Sequence, residues 1–188
     1  MHTRRLRGHM HPRDRTAMLH AGWQQVFPNR AFPAAELNYT AQGQPYLPGE
    51  EFSVSFSHAD GLSVLACGTT VPIGADLVHL QDAALAAQLD ASFFTPREHL
   101  ALAQQRTTPL RLWSRKEAVL KAAGVGLLID PQQAEVANES SFVLGKKFLL
   151  YSTILTTQYE LALAVDWTGL EVEPLEVEYK KIEEHSPQ

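Results

Sequence analysis

The chain has a single cysteine, Cys67, in 188 residues. One thiol excludes an intramolecular disulfide and argues against a cysteine-based zinc site, so Cys67, in the run Val64 to Cys67, reads as a small buried hydrophobe. Long apolar runs are also lacking: no stretch approaches the roughly 18 residues that span a bilayer. The N-terminal arginines have no apolar segment behind them, unlike a secretory signal. A cytoplasmic protein without a membrane partner is expected. Positive charge is in deficit too, with 16 Lys and Arg against 21 Asp and Glu and a net charge of −5. That excludes whole-surface attraction to nucleic acid and leaves local basic patches open. Short repeats and low-complexity segments are absent. Hydrophobic residues at 45% and charged residues at 20% are ordinary for a globular protein of one domain or two small lobes.

The richest stretch is Arg111 to Gly126, RLWSRKEAVLKAAGVG. Thr108-Pro109 suits a helix opening, because the threonine oxygen accepts an orphan amide and proline in the first turn loses no hydrogen bond. Gly124 and Gly126 supply a stop. At 100° per residue Leu112, Val119 and Ala123 share a core stripe, and Trp113, Glu117 and Lys121 form a row on a neighbouring face. Glu117 and Lys121 are then either a solvated ion pair or part of a site. Lys116 points nearer the apolar side, where it must snorkel to solvent or meet an anion.

Arg4, Arg5, Arg7, Arg13 and Arg15 crowd the first residues, as a basic tail or a phosphate-binding edge. Apolar spacing predicts a helix over 13–27, stopped by Pro28 and Pro33. Residues 43–51 read as loop. Phe52 to His58 alternates apolar and hydroxyl side chains, the clearest strand signal, and Ala59-Asp60-Gly61 turns it into a second strand over 62–68. His58 at the strand end is a surface, capping or functional residue. A strand over 71–80 carries Asp76 among apolar neighbours; aspartate is rarely buried there unless paired or metal-bound. A helix is expected over 82–90, and Thr95-Pro-Arg-Glu98 has a capping box opening another. Strands are predicted over 127–136, 141–153, 159–167 and 171–180.

Carboxylates from different elements, Asp76 and Glu117, suit Mg²⁺, which takes one or two protein carboxylates and fills its shell with water and phosphate oxygens. Nearby lysines would neutralise phosphate charge. Gly43-Gln-Pro-Tyr-Leu-Pro, Phe56-Ser-His58, Ile73-Gly-Ala-Asp76-Leu, Phe93-Phe-Thr-Pro-Arg-Glu98 and Trp113 to Gly126 follow one another. In that order and spacing the chain resembles the 4'-phosphopantetheinyl transferases of the two-lobed, surfactin-synthetase-activating type, over residues 13–167. The resemblance implies an α+β fold of two similar lobes, a pseudo-dimer. Each lobe would be a small antiparallel sheet packed on a helix, with residues 1–70 in the first and 71–188 in the second. Coenzyme A would lie between them.

It also implies an activity: Mg²⁺-dependent transfer of 4'-phosphopantetheine from coenzyme A to a serine of an acyl or peptidyl carrier protein, in fatty acid or polyketide biosynthesis, by a monomer. Asp76 and Glu117 would bind the metal, and Glu117 or a metal-bound water would take the serine proton. Lys121 would assist the leaving adenosine 3',5'-bisphosphate. Ser57 and His58 would contact nucleotide phosphates, and Lys116 would be a further phosphate or site-shaping contact.

Two departures stand out. Two-lobed relatives place a third acid where this chain has Val78; Asp-Leu-Val is closer to the small holo-acyl-carrier-protein synthases, whose further acid falls at His79. Gln44 stands where relatives have a lysine for the 3'-phosphate, which one of the N-terminal arginines would replace. The chain also looks short of a first strand. Because carriers are acidic, Arg97, Arg106, Arg111 and Arg115 are expected to favour docking. The competing reading is a non-catalytic module that keeps the fold and binds carriers or coenzyme A.

Overall fold

The computed structural model describes residues 12–168. Arg4, Arg5, Arg7, the side chain of Arg13 and the strand expected over 171–180 lie outside the described residues. The chain is of mixed α and β structure, with two four-stranded antiparallel sheets packed with helices.

The first helix, α1 (Pro12–Val26), precedes a sheet of order β1-β2-β3-β4. Its strands are β1 (Asn38–Tyr39), β2 (Pro45–Tyr46), β3 (Phe52–Ala59) and β4 (Leu62–Thr69). The short strand β2 lies within residues 43–51, where only loop was expected, and β1 precedes it. The period of two along β3 sorts its faces. Phe52, Val54 and Phe56 turn to Leu19 and Trp23 of α1, which is fully buried. Ser53, Ser55 and Ser57 turn the other way. The β3–β4 turn has positive φ at both Asp60 (42°) and Gly61 (80°), the twist that suits a two-residue hairpin.

The second sheet has order β5-β8-β7-β6: β5 (Ile73–His79), β6 (Ser140–Val143), β7 (Lys146–Leu155) and β8 (Tyr159–Asp166). Between β5 and β6 come α2 (Ala83–Ala86), α3 (Pro96–Ala103) and α4 (Pro109–Ala122). The helix expected over 82–90 is thus a single turn. Leu112, Ala118, Val119 and Ala122 of α4 pack on Phe148, Leu150, Ala162 and Ala164. The opposite sheet face, Ala75, Leu77, Leu161 and Leu163, packs on Leu62, Val64 and Ala66 of β4.

Two expectations need correcting. Residues 127–136 form no strand but two 3₁₀ turns, Gly126–Leu128 and Pro131–Gln133. Pro131 has no N–H for a ladder, and the Asp130 carboxylate accepts from the Gln132 amide. The strand over 141–153 is a hairpin, because Leu144 (φ 51°) and Gly145 (φ 77°) turn the chain between β6 and β7.

Candidate active site

The site begins with a close approach. A β-carbon at Gly74 would lie 2.0 Å from the Ala118 carbonyl oxygen and 2.5 Å from the Ala122 amide nitrogen. Only glycine lets α4 settle this closely on β5. Along the resulting contact, the Ser114 hydroxyl donates to the Asp76 carbonyl (3.2 Å) and the Lys121 ammonium to the Ala75 carbonyl (2.8 Å). Glu117 lies between these two anchors on the β5-facing side of the helix and is 6% exposed. The reading of Glu117 and Lys121 as a solvated surface pair therefore fails, since the carboxylate is buried.

Asp76 is completely buried. Its Oδ1 accepts from Lys121 Nζ (2.8 Å) and from the Ser57 hydroxyl (3.0 Å). Its Oδ2 is buried and has no partner among the described residues. A carboxylate oxygen stripped of water without a replacement is costly, and a cation would satisfy it. Asp76 Oδ2 with Glu117 across the interface is therefore a donor set that fits Mg²⁺. Among the described residues no three His, Cys, Asp or Glu side chains gather as a ready metal cage, so most of the shell would come from water and phosphate.

Lys116 is one residue away and differently placed. Its ammonium has no exposure and donates to Glu98 Oε2 (2.8 Å), the Ala134 carbonyl (2.6 Å) and the Pro131 carbonyl (3.0 Å). All three N–H bonds are used. Burial pushes its pKa down, against the upward pull of Glu98. Glu98 in turn accepts the Thr95 and Val136 amides (both 2.8 Å). Of the two roles anticipated for Lys116, the geometry matches shaping the site and leaves no N–H for a phosphate.

A buried half-satisfied aspartate, a facing glutamate and a lysine on one glycine-permitted seam can now be set beside known proteins. Residues 72–164 match the family described as the 4'-phosphopantetheinyl transferase superfamily. These residues belong to that superfamily. The 4'-phosphopantetheinyl transferase HetI of a Nostoc species is 34% identical over 102 residues, a match spanning 49% of this chain and 43% of that relative.

The superfamily segment contains Asp76, Lys116, Glu117 and Lys121 but not β3, so Ser57 reaches the site from outside it, and His58 also lies outside it. Ser57 is buried, its hydroxyl committed to Asp76 and to the Leu77 amide (2.9 Å). Strand alternation puts His58, half-buried, on the opposite face from Ser57. Val78 shares the Asp76 face of β5 and is buried; its partner across the ladder is Glu160. The acid nearest the Val78 position in register is thus Glu160, and Arg111 claims it through its Nε. His79 lies on the other face, stacked edge-on against Tyr159 and 3.8 Å from Asp60.

Two cavities flank α4. At its C-terminal end about 170 Å³ is lined by Arg15, Gln44, Ser55, Lys121, Gly124 and others. Gln44 donates to the Lys121 carbonyl (3.4 Å). Arg15 donates through one terminal nitrogen to the Tyr39 hydroxyl (3.1 Å), while its Nε is buried without a partner among the described residues. Sequence reasoning left five arginines open; Arg15 is the one of them whose side chain is described, and it lines this cavity. At the N-terminal end about 220 Å³ is lined by Arg106, Arg111, Arg115 and Glu160. Arg115 is partly buried, donates to the Asn138 carbonyl, and has its pKa lowered first by burial. Arg97 and Arg106 are exposed.

Proposed function

We propose that the chain transfers 4'-phosphopantetheine from coenzyme A to the serine hydroxyl of an acyl or peptidyl carrier protein, a holo-acyl-carrier-protein synthase activity that depends on Mg²⁺. The observation that carries this reading is Asp76 Oδ2, buried and without a partner among the described residues, beside Lys121 and the Arg15 cavity. Asp76 and Glu117 would hold the metal, which when bound supplies charge neutralisation on the diphosphate.

The residues have separable tasks. The Glu117 carboxylate takes the proton from the carrier serine as its oxygen bonds to the phosphorus of the pantetheine-bearing phosphate. The bond from that phosphorus to the oxygen of adenosine 3',5'-bisphosphate breaks, and the Lys121 ammonium donates to that departing oxygen. Arg15 takes the part of the lysine that Gln44 lacks and meets the 3'-phosphate, while His58 remains a nucleotide contact. The two sheets serve as two lobes meeting where β3 faces β5, divided at residues 70 and 71, and enclose coenzyme A as a pseudo-dimer within a monomer. Exposed Arg97 and Arg106 are better placed to dock an acidic carrier than Arg111, which is bound to Glu160.

Incubation with coenzyme A, Mg²⁺ and a panel of apo carriers should add the mass of one phosphopantetheine to at least one carrier. Glu117→Gln should abolish the gain. No gain on any carrier would overturn the reading.

A further inference from the structure

The hydroxyl side chains of β3 do more than alternate. Ser53 Oγ accepts the Ile73 amide (3.1 Å), Ser55 Oγ the Ala75 amide (2.9 Å) and Ser57 Oγ the Leu77 amide (2.9 Å). Every second residue of β3 meets every second residue of β5, and the numbers rise together along both strands. The order of the second sheet puts β5 at one side with β8 as its strand neighbour, so the serines stand where a further strand would otherwise accept these amides. Side chains here replace a ladder and fix β5 in one parallel register on the face of the first sheet. A shift of one residue would turn Asp76 to the other face.

Ser57 alone has a second task. Its single O–H, with the oxygen already accepting from Leu77, donates to Asp76 Oδ1 (3.0 Å), and Lys121 Nζ approaches the same hydroxyl oxygen (3.4 Å). Oδ1 thus receives two donors and Oδ2 none among the described residues. A carboxylate so held cannot rotate its two oxygens into each other's places without breaking both bonds. The two bonds fix the plane of the carboxylate, with one oxygen on the donors and the other turned away from them.

We propose that Ser57 is a positioning residue that fixes the Asp76 carboxylate so that Oδ2 faces the cation, and that it is not a contact of the nucleotide. The proposal rests on the transferase reading above. Hydrogen-bond partners one step removed from a metal govern the orientation and basicity of its ligands, and losing one weakens metal affinity about 10- to 100-fold. Ser53 is the internal control, because it accepts one β5 amide and is not among the donors to Asp76.

The test is calorimetric titration of coenzyme A into the full chain with and without Mg²⁺, in the wild type, Ser53→Ala and Ser57→Ala, with melting curves for each. The readout is the Mg²⁺-dependent gain in coenzyme A affinity, which a purely structural loss does not change in a protein that still folds. The wild type and Ser53→Ala should show the gain; Ser57→Ala should bind coenzyme A without Mg²⁺ as before and reach the same affinity only at about tenfold higher Mg²⁺. Should Ser57→Ala not fold, Ser57→Cys keeps nearly the same volume and an acceptor for Leu77 but donates weakly, and it should show the same displacement. A full gain at unchanged Mg²⁺ in a folded Ser57 variant, or equal displacement in Ser53→Ala, overturns the proposal. No gain in the wild type removes the transferase reading, and with it this inference.

Discussion

Helix α4 supplies the lysines of two lysine–carboxylate pairs, five residues apart, that differ in how completely their hydrogen bonds are matched. Around Lys116 and Glu98 every donor and acceptor is matched: three N–H bonds go to Glu98, Pro131 and Ala134, and the Glu98 oxygens also take the Thr95 and Val136 amides. Around Lys121 and Asp76 one carboxylate oxygen is left over among the described residues. The Asp76 and Glu98 carboxylates are equally buried, although the Lys121 side chain is 24% exposed where that of Lys116 is not exposed at all, so carboxylate burial alone does not separate a closed pair from one with room for a ligand. The accounting of hydrogen bonds does. A closed network fixes a loop; an incomplete one has room for a ligand.

The largest expected effect tests the closed network. Lys116→Met leaves Glu98 buried, charged and short of its partner, and removing one member of a buried pair costs about 3–5 kcal/mol. Denaturant unfolding should show a loss of that size. At a temperature where the variant remains folded, coenzyme A affinity should change less than threefold, because Lys116 has no N–H to offer a phosphate. A stable variant that loses coenzyme A affinity instead would reverse the assignment and make Lys116 a ligand contact.

Gly74→Ala strikes the open network from outside. The added carbon meets helix backbone, which cannot step aside as a flexible side chain would, and overpacking of this kind costs about 1–3 kcal/mol. The displacement separates α4 from β5, so the Asp76–Lys121 contact should suffer and the Lys116–Glu98 contact, away from that seam, should not. Transfer activity should fall at least tenfold, since an ångström of misplacement costs about 10²-fold. Activity near wild type would show that the seam tolerates more slack than the reading allows.

These contrasts also mark what could be read before the fold was known. Strands β3, β4, β5 and β8 and the helix ends at Thr108 and Gly124 follow from local rules, and the capping box at Thr95 forms as its residues predict. Gly74-Ala-Asp76 and the α4 row suggested a site because aspartate in a strand and two lysines near an acid ask for partners. The sequence could not say which lysine meets which acid. Lys116 finds Glu98 18 positions away and Lys121 finds Asp76 45 positions away, and both choices depend on how α3 and β5 pack on α4. The same holds for Glu160 opposite Val78, visible only once the register of β5 and β8 is set. The period of two in β3 announced a strand, while the acceptance of β5 amides by its serines needed the second sheet to be in place. Residues 127–136, expected as a strand, are held instead by side-chain bonds with Lys116 and Glu98, which only the packing of α3 and α4 brings to that segment.

Cys67 extends the comparison to a half-buried thiol, with no charged partner among the described residues. It stands on β4 against α1, where a β-carbon at Gly22 would come within 3.1 Å of its sulfur. With nothing to stabilise a thiolate, burial raises its pKa from 9.0 to about 11. Since the folded state holds this proton more tightly than the unfolded chain, the resulting stability is complete below about pH 9 and drains away as pH rises toward 11. Partial exposure trims the effect to the order of 1 kcal/mol. Unfolding at pH 8 and pH 10.5 should therefore differ more for the wild type than for Cys67→Ala, after the shared loss from other alkaline titrations is subtracted. Thiol-directed reagents should label the native protein slowly at pH 8. Rapid labelling at that pH, or identical alkaline losses in both proteins, would mean that Cys67 has a stabilised thiolate and that burial here does not act alone.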